Sequence, residues 1–306
     1  RQMLLFLDNM GFYDAEIRTH VETKRKKAFV TYIIHPGKPY LISDIEYRIK
    51  DPDIASYVMK DTSNSLLKES NLFDVNLLQD ERMRITNMLK SKGYFAFSKE
   101  YIHYLADSTV SDYRVKITLS IQNTVNKHHE ADSLMPHKKY YLDTIYFYTD
   151  FDPKLSLQNR KKYLKSFERQ ASDSTKIIML NSSGFQIKPQ TILRENYLQP
   201  GDIYDKKKAD RTYRNLNSLQ AYKLINIYYE DKSISNTDSG IINCHVQLTP
   251  FTRQSYTLEL EGSNASGNWG VAGNLTYRHR NIFRGGENFQ LRLRGAREAQ
   301  ADVFMG

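Results

Sequence analysis

The 306-residue chain carries 44 lysines and arginines against 35 aspartates and glutamates, which gives a formal net charge of +9 and a pI of about 9.3. No stretch approaches the roughly 18 apolar residues that a membrane-spanning helix requires, so any membrane contact would be peripheral or made by strands. The 22 tyrosines and 14 phenylalanines favour strands over long helices, and the length allows two or three domains.

The chain opens inside a helix. The segment QMLLFLDNM is followed by a turn at Gly11, and no basic or apolar targeting segment precedes it. We therefore expect the natural N-terminus, with any export signal or lipid-anchoring cysteine, to lie upstream of Arg1.

An internal repeat organises the rest of the chain. The segment LDNMGFY around Gly11 matches LKSKGYF around Gly93 and, more weakly, LNSLQAY around Gln220. Each copy ends a helix, and the glycines occupy the position at which a helix C-terminus favours a residue that tolerates positive φ. Because Gln220 replaces the glycine, we expect the third cap to close differently or the helix to continue.

Strands and helices surround each copy in the same order. Residues 40–47 and 140–148 alternate as strands before the helices, and residues 28–35, 113–122 and 240–249 alternate as closing strands. Between them lie two helices joined by a turn. In the alignment of the two helix pairs, Leu67 matches Leu193, Phe73-Asp74 matches Gly201-Asp202, and the second helices begin near Asn76 and Asp205.

These elements predict an α+β fold built from tandem strand-helix-helix-strand-strand units, each with a three-stranded sheet and two helices on one face. Residues 1–36 are the C-terminal part of one unit, 37–123 a second unit, 124–137 a polar linker and 138–250 a third unit. The third unit carries an insertion at about 150–188, in which residues 177–187 are typical of a hairpin.

The sequence predicts no catalytic site, no cofactor and no metal site. Cys244 is the only cysteine and lies on the apolar side of an alternating strand, which favours a buried core thiol. The linker residues His128, His129, Glu130, Asp132 and His137 could bind a metal, but their place in a linker favours a solvated segment.

From residue 251 to 306 three longer alternating strands follow one another. We place the first at about 254–262, with a turn at 262–267, and aromatic residues lie at the strand ends. Alternation alone is equally typical of a soluble antiparallel sheet, but strands of about ten residues favour the first strands of a membrane β-barrel. The apolar, lipid-facing candidates are Leu275, Tyr277, Phe289, Leu291 and Leu293, and the lumen-facing candidates are Gln290, Arg292 and Arg294.

At this point the chain resembles a known superfamily. The segments GKPY at Gly37, GYF at Gly93, PGD at Pro200 and the RN and GGE motifs of residues 280–287 are similar to polypeptide-transport-associated (POTRA) domains and to the opening strands of BamA/TamA outer-membrane assembly barrels. The combination of GYF with KEYIHY, together with IYFYTDFDP, most resembles the TamL branch of Bacteroidetes-type lipoproteins.

The resemblance implies an outer-membrane assembly or translocation factor with residues 1–250 in the periplasm. Its POTRA domains would receive partners by β-augmentation, in which a guest strand pairs with a free sheet edge. The first barrel strand would pair with clients through Tyr256, Thr257, Leu258, Glu259 and Leu260. The implied partners are a TamB-type periplasm-spanning protein or other assembly subunits, unfolded outer-membrane proteins and outer-membrane lipid. The lumenal loop motif of the family would lie downstream of Gly306.

Two other functions fit some of the same features. The net charge of +9 and the abundant tyrosines suit a nucleic-acid-binding repeat protein, whose binding would weaken steeply with salt. The aromatic tail strands suit a soluble β-rich adhesin or polysaccharide-binding module. The short basic runs, two of which adjoin acidic residues, favour solvated surface and no nucleic-acid partner.

Overall fold

The computed structural model describes residues 1–24, 26–125, 134–158, 163, 167–171, 176–233, 237–265 and 268–299. The chain divides into two compact units, Arg1–Lys139 and Tyr140–Gly306. No helix of the described residues is long and apolar enough to cross a membrane.

The first unit opens with helix α1 (Gln2–Asn9) and the antiparallel strands β1 (Glu16–Lys24) and β2 (Lys27–His35). Gly11 follows the helix with a φ of +81°, and the Phe12 N–H donates to the Leu7 carbonyl at 2.9 Å, which closes the helix as the glycine predicts. A side chain at Gly11 would also place its Cβ 2.7 Å from the Phe73 carbonyl oxygen. The glycine is therefore required twice.

A complete strand-helix-helix-strand-strand repeat follows. It comprises β3 (Leu41–Ile49), α2 (Pro52–Lys60), α3 (Val75–Lys90), β4 (Ile102–Ser111) and β5 (Arg114–Ile121). The sheet order is β3-β5-β4, with β5 parallel to β3 and antiparallel to β4. The α+β class predicted from the sequence is confirmed.

The core of this repeat lies between the two helices and the sheet. Ile54 of α2 and Ile85 and Leu89 of α3 pack with Leu119 and Ile121 of β5, all almost completely buried. Both helices begin at aspartates whose carboxylates accept backbone N–H groups of the first turn, as helix N-caps do. These are Asp51 for α2 and Asp74 for α3.

After this repeat, the two ends of the linker form a short antiparallel ribbon of β6 (Thr124–Val125) and β7 (Leu134–Met135). Four of the five linker residues considered as metal ligands, at 128–130 and 132, lie outside the described residues. His137 is described and is buried.

The second unit repeats the same order of elements with additions. Its elements are β8 (Lys139–Tyr148), α4 (Pro153–Gln158), β9 (Glu168–Ala171), β10 (Ile177–Asn181), α5 (Pro189–Arg194), α6 (Lys206–Ser218), β11 (Tyr222–Asp231) and β12 (Ser239–Pro250). The sheet order is β11-β12-β8-β10-β9. Cys244 of β12 is free and fully buried, so the prediction of a core thiol is confirmed.

The two repeats match bond by bond where a crossing segment pairs with the start of the first strand. In both, a positive-φ residue (Ser70 at +68°, Gly201 at +86°) donates its N–H to the strand, and the strand donates one back. The bonds are Ser70 to Ile42 and Ile42 to Asn71 at 2.8 Å each, and Gly201 to Leu142 at 2.7 Å and Leu142 to Asp202 at 2.9 Å.

The sequence alignment of the helix pairs is therefore wrong in register. Ser70 corresponds to Gly201, so Leu67 corresponds to Leu198, a buried residue, and not to Leu193, which is exposed. The error arose because α3 has 16 residues and α6 has 13, so one offset cannot fit both ends of the helix.

The predicted hairpin at 177–187 is also wrong. Only Ile177–Asn181 forms a strand there, and it pairs parallel to β8 and antiparallel to β9. Two pairs of equivalent positions locate the insertion. The helix N-caps Asp51 and Asp152 are 101 residues apart, whereas Ser70 and Gly201 are 131 residues apart. About 30 residues are thus inserted between these points, and they add two strands to the sheet.

The third helix cap shares the positive φ of the first two but not all of their backbone bonds. Helix α6 ends at Ser218, and Gln220 adopts a φ of +50°, the left-handed conformation that Gly93 adopts at +102°. The helix does not continue, and Gln220 takes the positive φ in place of a glycine. The bonds that Phe12 and Tyr94 donate to the Leu7 and Leu89 carbonyls have no counterpart from Ala221 to Leu216 among the described residues, so this cap does close differently.

Gln220→Gly is therefore expected to raise the free energy of unfolding by about 1 kcal/mol, since it removes the left-handed strain of a residue with a Cβ. The matched control is Gln220→Ala, which loses the same side-chain contact to Asn288 but keeps the strain. Urea unfolding midpoints of the two variants measure the difference. Equal midpoints would contradict the strain argument.

The last three strands are antiparallel and follow in order: β13 (Gln254–Ala265), β14 (Asn268–Arg280) and β15 (Asn288–Ala299). The strands are longer than predicted. The predicted turn at 262–267 is too wide, because pairing continues to Ala265 opposite Asn268.

Candidate functional site

The sheet of β13, β14 and β15 has one apolar face. The register places Leu258, Leu275 and Leu293 side by side, in a row that crosses all three strands. Their exposed fractions are 69%, 41% and 56%. A row of leucines left in water costs free energy in proportion to its area, so this face is suited to an apolar environment.

The apolar face extends beyond the central row. Tyr256, Tyr277 and Leu291 form the next row, in which the two tyrosine rings lie 4.9 Å apart, and Phe289 lies beyond Leu291. On the other side of the central row is Leu260, 77% exposed. All five residues predicted to face lipid therefore share one face, together with the alternate residues of the predicted client-pairing strand. Val271, 65% exposed, belongs to this face and was not among the predicted residues.

The opposite face of the sheet is polar. Arg278 donates to Gln290 at 2.8 Å across the β14–β15 pair, and Arg294 lies 3.7 Å from Glu261. Arg292 lies on this face as well, in the row that contains Thr257 and Thr276. The three residues predicted to face a lumen thus lie on the same face. Glu259 lies in the same row as Arg294, with Asn274 between them. Whether this face lines a lumen stays a prediction.

A folded loop joins β14 to β15 and also holds the sheet to the rest of the second unit. Asn281 has a φ of +65°; its Nδ2 donates to the Gln186 carbonyl at 2.5 Å and its Oδ1 accepts from the Gly286 N–H at 3.1 Å. The Lys188 N–H donates to the Arg284 carbonyl at 2.9 Å. The RN and GGE motifs of this segment carry no local signal for these bonds, which reach residues almost 100 positions earlier in the chain.

The carboxylate of Glu287 holds the same loop from inside. It accepts the N–H groups of Phe283 and Gly285, each at 3.2 Å. Hydrogen bonds from backbone N–H groups lower the pKa of Glu287, so the side chain that accepts these bonds is a charged carboxylate.

Each sheet also has an edge strand without a partner among the described residues. In the first unit this is β4, where Leu105 is 64% exposed; in the second it is β11, where Leu224 is 48% exposed. Both pairings contain an irregularity, between Asp107 and Ser111 in β4 and between Tyr222 and Leu224 in β11. Unpaired backbone N–H and C=O groups along such edges can accept a further strand.

No protein-family model matches the chain, and no curated protein matches it. Among solved structures, BamA from Haemophilus ducreyi lacking POTRA domains 1–3 is 14% identical over 85% of this chain and 37% of that chain, with a TM-score of 0.48. BamA POTRA3–5 from Haemophilus influenzae is 13% identical over 80% of this chain and 76% of that chain, with a TM-score of 0.43. CdiB from Acinetobacter baumannii is 10% identical over 85% and 39%, with a TM-score of 0.36.

The chain thus spans little more than a third of the Haemophilus ducreyi structure that it resembles. Its own strand order and backbone hydrogen bonds carry the fold assignment.

Within the described ranges, no group of three or more His, Cys, Asp or Glu side chains could hold a metal ion. The polar groups that the structure does bring together at 51, 122 and 137 are structural. The Asp51 carboxylate caps α2 and accepts the His137 N–H at 3.1 Å, while His137 Nε2 donates to the Gln122 carbonyl at 2.9 Å. The His137 ring packs against Phe97 and Tyr101.

This arrangement is expected to make the stability of the first unit depend on pH. Burial lowers the pKa of His137, although the Gln122 carbonyl and Asp51 oppose the shift. The unfolded chain therefore binds a proton more readily, and stability is expected to fall as the pH drops below about 6.5 toward the folded-state pKa. His137→Gln should flatten this slope between pH 7.5 and 5 in urea unfolding. An unchanged slope would exclude His137 as its source.

Proposed function

We propose that the chain belongs to an outer-membrane assembly or translocation protein of the POTRA and barrel type. Residues 1–250 are its periplasmic arm, and β13, β14 and β15 are the first strands of its barrel. The observation that carries the proposal is the exposed apolar face of three strands of 12 or 13 residues, opposite a face with arginine, glutamate and glutamine.

The length of the strands and the chemistry of the two faces support a membrane location for the three strands. A strand crossing a bilayer at a tilt needs about 9–11 residues, which 12- and 13-residue strands provide. In a soluble sandwich a second layer would cover the apolar face, and among the described residues nothing covers Leu258 or Leu260, which stay 69% and 77% exposed. The tyrosine pair of Tyr256 and Tyr277 lies toward one end of the face, as interfacial aromatic residues do.

The same proposal assigns a role to the free edges. The outer edge of β13 is unpaired in the sheet order β13-β14-β15, so Tyr256, Thr257, Leu258, Glu259 and Leu260 offer backbone groups to a client strand. In the arm, β4 and β11 offer comparable edges to unfolded outer-membrane proteins or to a periplasmic partner. Backbone pairing depends little on the side chains of the guest, which suits a factor with many clients.

We further propose that the protein belongs to the TamL branch, with a TamB-type protein as its partner and a lipid anchor. This proposal rests on the resemblance of GYF, KEYIHY and IYFYTDFDP alone. Co-purification from the native envelope would test it. Recovery of a periplasm-spanning partner is the expected result, and recovery with the general barrel-assembly lipoproteins in its place would contradict it.

The membrane part of the proposal is tested with lipid vesicles. The chain, diluted from urea into vesicles of short-chain phosphatidylcholine, is expected to float with the lipid and to protect β13, β14 and β15 from protease. The arm should remain cleavable. A chain that stays in the aqueous phase as a monomer would refute the proposal. Binding to DNA at low salt that is lost at high salt would favour the nucleic-acid alternative.

A further inference from the structure

The strands β3 and β8 occupy equivalent places in the two repeats but have different outer edges. In both, a crossing segment covers the start of the strand through the bridges Leu41–Leu72 and Tyr141–Ile203. Beyond this point β3 is the last strand of its sheet. In the second unit, the corresponding part of β8 is covered by the inserted strand β10, which pairs from Ile145 to Tyr148. The insertion therefore covers the length of edge that the repeat leaves open.

Backbone bonds join β10 to β8 at both ends of this stretch. The Ile145 N–H donates to the Lys176 carbonyl at 3.0 Å, and the Thr149 N–H donates to the Leu180 carbonyl at 2.9 Å. Ile178 and Met179 of β10 are buried, so the strand is part of the core and not only an attachment to the edge.

Two carboxylates fix the ends of β10. Asp150 accepts the N–H groups of Ser182 and Ser183, at 3.0 and 2.9 Å, and both of their hydroxyls at 2.8 Å. At the other end, Lys176 pairs with Asp143 at 2.5 Å. Asp143 lies on β8 and Asp150 lies two residues after its end, so β8 and the turn that follows it hold both ends of the strand that covers β8.

The covering also changes the character of the edge. The exposed edge moves from β8, with ten residues, to β9, which has four residues of sequence ERQA. Short, charged edge strands are poor templates for a further strand, and natural sheets use them to prevent unwanted association. The other edge of the same sheet, β11, keeps ten residues.

We propose that the ribbon of β9 and β10 is an edge seal, which confines strand pairing by the second unit to β11. The proposal rests on the proposed function for the identity of the guest, an extended segment of an outer-membrane protein. The seal itself is a property of the ribbon. Without it, β8 would offer a second, parallel docking edge, and the unit could bind two guests or a second copy of itself.

The test uses the whole chain in detergent micelles and a synthetic peptide, NFQLRLRGAREA, which reproduces β15 as an alternating guest strand. Hydrogen–deuterium exchange with mass spectrometry follows residues 145–149 and 222–231. The opened variant combines Asp143→Ala with Asp150→Ala, and Asp238→Ala is the matched control, a surface carboxylate of the same unit. Ile178→Pro is a second opened variant, because proline breaks the ladder of β10 directly.

In the wild-type protein and in Asp238→Ala, the peptide is expected to slow exchange in 222–231 and to leave 145–149 unchanged. Opening should raise exchange of 145–149 about tenfold, and the peptide should then protect it. Protection of 168–181 in the wild type would overturn the proposal. The proposal would also be overturned if the peptide gave residues 145–149 no protection in the opened variants. The same holds if neither opened variant changed the exchange of residues 145–149. If the peptide protects 145–149 only after opening and never 222–231, the seal stands and pairing at β11 fails.

Discussion

Replacing Glu81 by alanine is expected to lower the free energy of unfolding of the first unit by about 3–5 kcal/mol, the loss typical of a buried ion pair that loses one partner. The Glu81 side chain is fully buried in α3 and accepts hydrogen bonds from the Ser65 hydroxyl at 2.8 Å, the Leu66 N–H at 3.0 Å and Arg84 at 2.8 Å. Arg84 also pairs with Asp61. Alanine would remove the acceptor of the partly buried Leu66 N–H and would leave Arg84 with Asp61 as its one remaining carboxylate partner among the described residues.

Chemical unfolding of the whole chain, followed by a probe in the first unit, measures this loss. Glu46→Ala is the control, because Glu46 belongs to an exposed ion pair with Arg48 on the same sheet and its removal should change stability little. Equal effects of the two substitutions would show that burial does not set the value of the Glu81 network.

The same network predicts a dependence on pH. Burial alone would raise the pKa of Glu81, but the hydrogen bonds from Arg84, Leu66 and Ser65 outweigh it and lower that pKa below its ordinary value. The folded chain therefore releases the proton more readily than the unfolded chain. Its stabilising contribution is complete above about pH 4.5 and is lost as the pH falls through the folded-state pKa. In Glu81→Ala this acid-dependent loss should be absent.

Leu275→Arg is expected to weaken insertion into lipid by about 2–4 kcal/mol, the cost of a basic side chain on the lipid face near the middle of a membrane strand. Leu275 lies in the central strand and in the central row of the apolar face, between Leu258 and Leu293. Charge at this position would meet hydrocarbon on the proposed membrane side, with no acidic neighbour in its row.

Thr276→Arg provides the control, since the next residue of β14 lies on the polar face beside Arg292. Partition of the two variants between vesicles and buffer, measured over a range of urea concentrations, compares the faces directly. Loss of insertion in both variants, or in neither, would contradict the assignment of the faces.

Period-two alternation allowed the sequence to predict β3 and β5 of the complete repeat and the three tail strands with small errors at the ends, whereas β4 was given no bounds. Residues 113–122 were expected as a strand, and Arg114–Ile121 form it. The second helices were expected near Asn76 and Asp205, and Asp74 and Asp205 cap them. Strand alternation and helix N-caps depend on residues close together in the sequence, so they can be predicted without knowledge of the rest of the fold.

The errors concern features that depend on distant residues. The alignment of Leu67 with Leu193 failed because a shorter helix and an insertion both change the offset, and only the bonds of Ser70 and Gly201 fix it. The positive φ of Gln220 could not be predicted from the sequence, because glutamine has no preference for the left-handed conformation. Strand β10 pairs parallel with β8, about 30 positions earlier in the chain, and no local sequence pattern predicts such a contact.

The candidate site was predicted in part. Alternation along β14 and β15 predicted the two sets of residues that the register places on opposite faces of the sheet. Their environment follows from no local pattern and stays a proposal. The bonds of Asn281 to Gln186 and Gly286 were missed because an asparagine in a polar turn is most often an ordinary turn residue.

The buried thiol of Cys244 has a consequence for how the chain reacts with oxidants. Burial raises the pKa of Cys244 to about 12, so the folded protein holds almost no thiolate at neutral pH. Thiol–disulfide exchange needs the thiolate, and the folded chain would therefore be inert toward the oxidising enzymes of a bacterial periplasm. Before β12 is packed, the same cysteine is open to mixed disulfides. Whether Cys244 is oxidised would therefore depend on how fast the second unit folds relative to the rate of thiol oxidation.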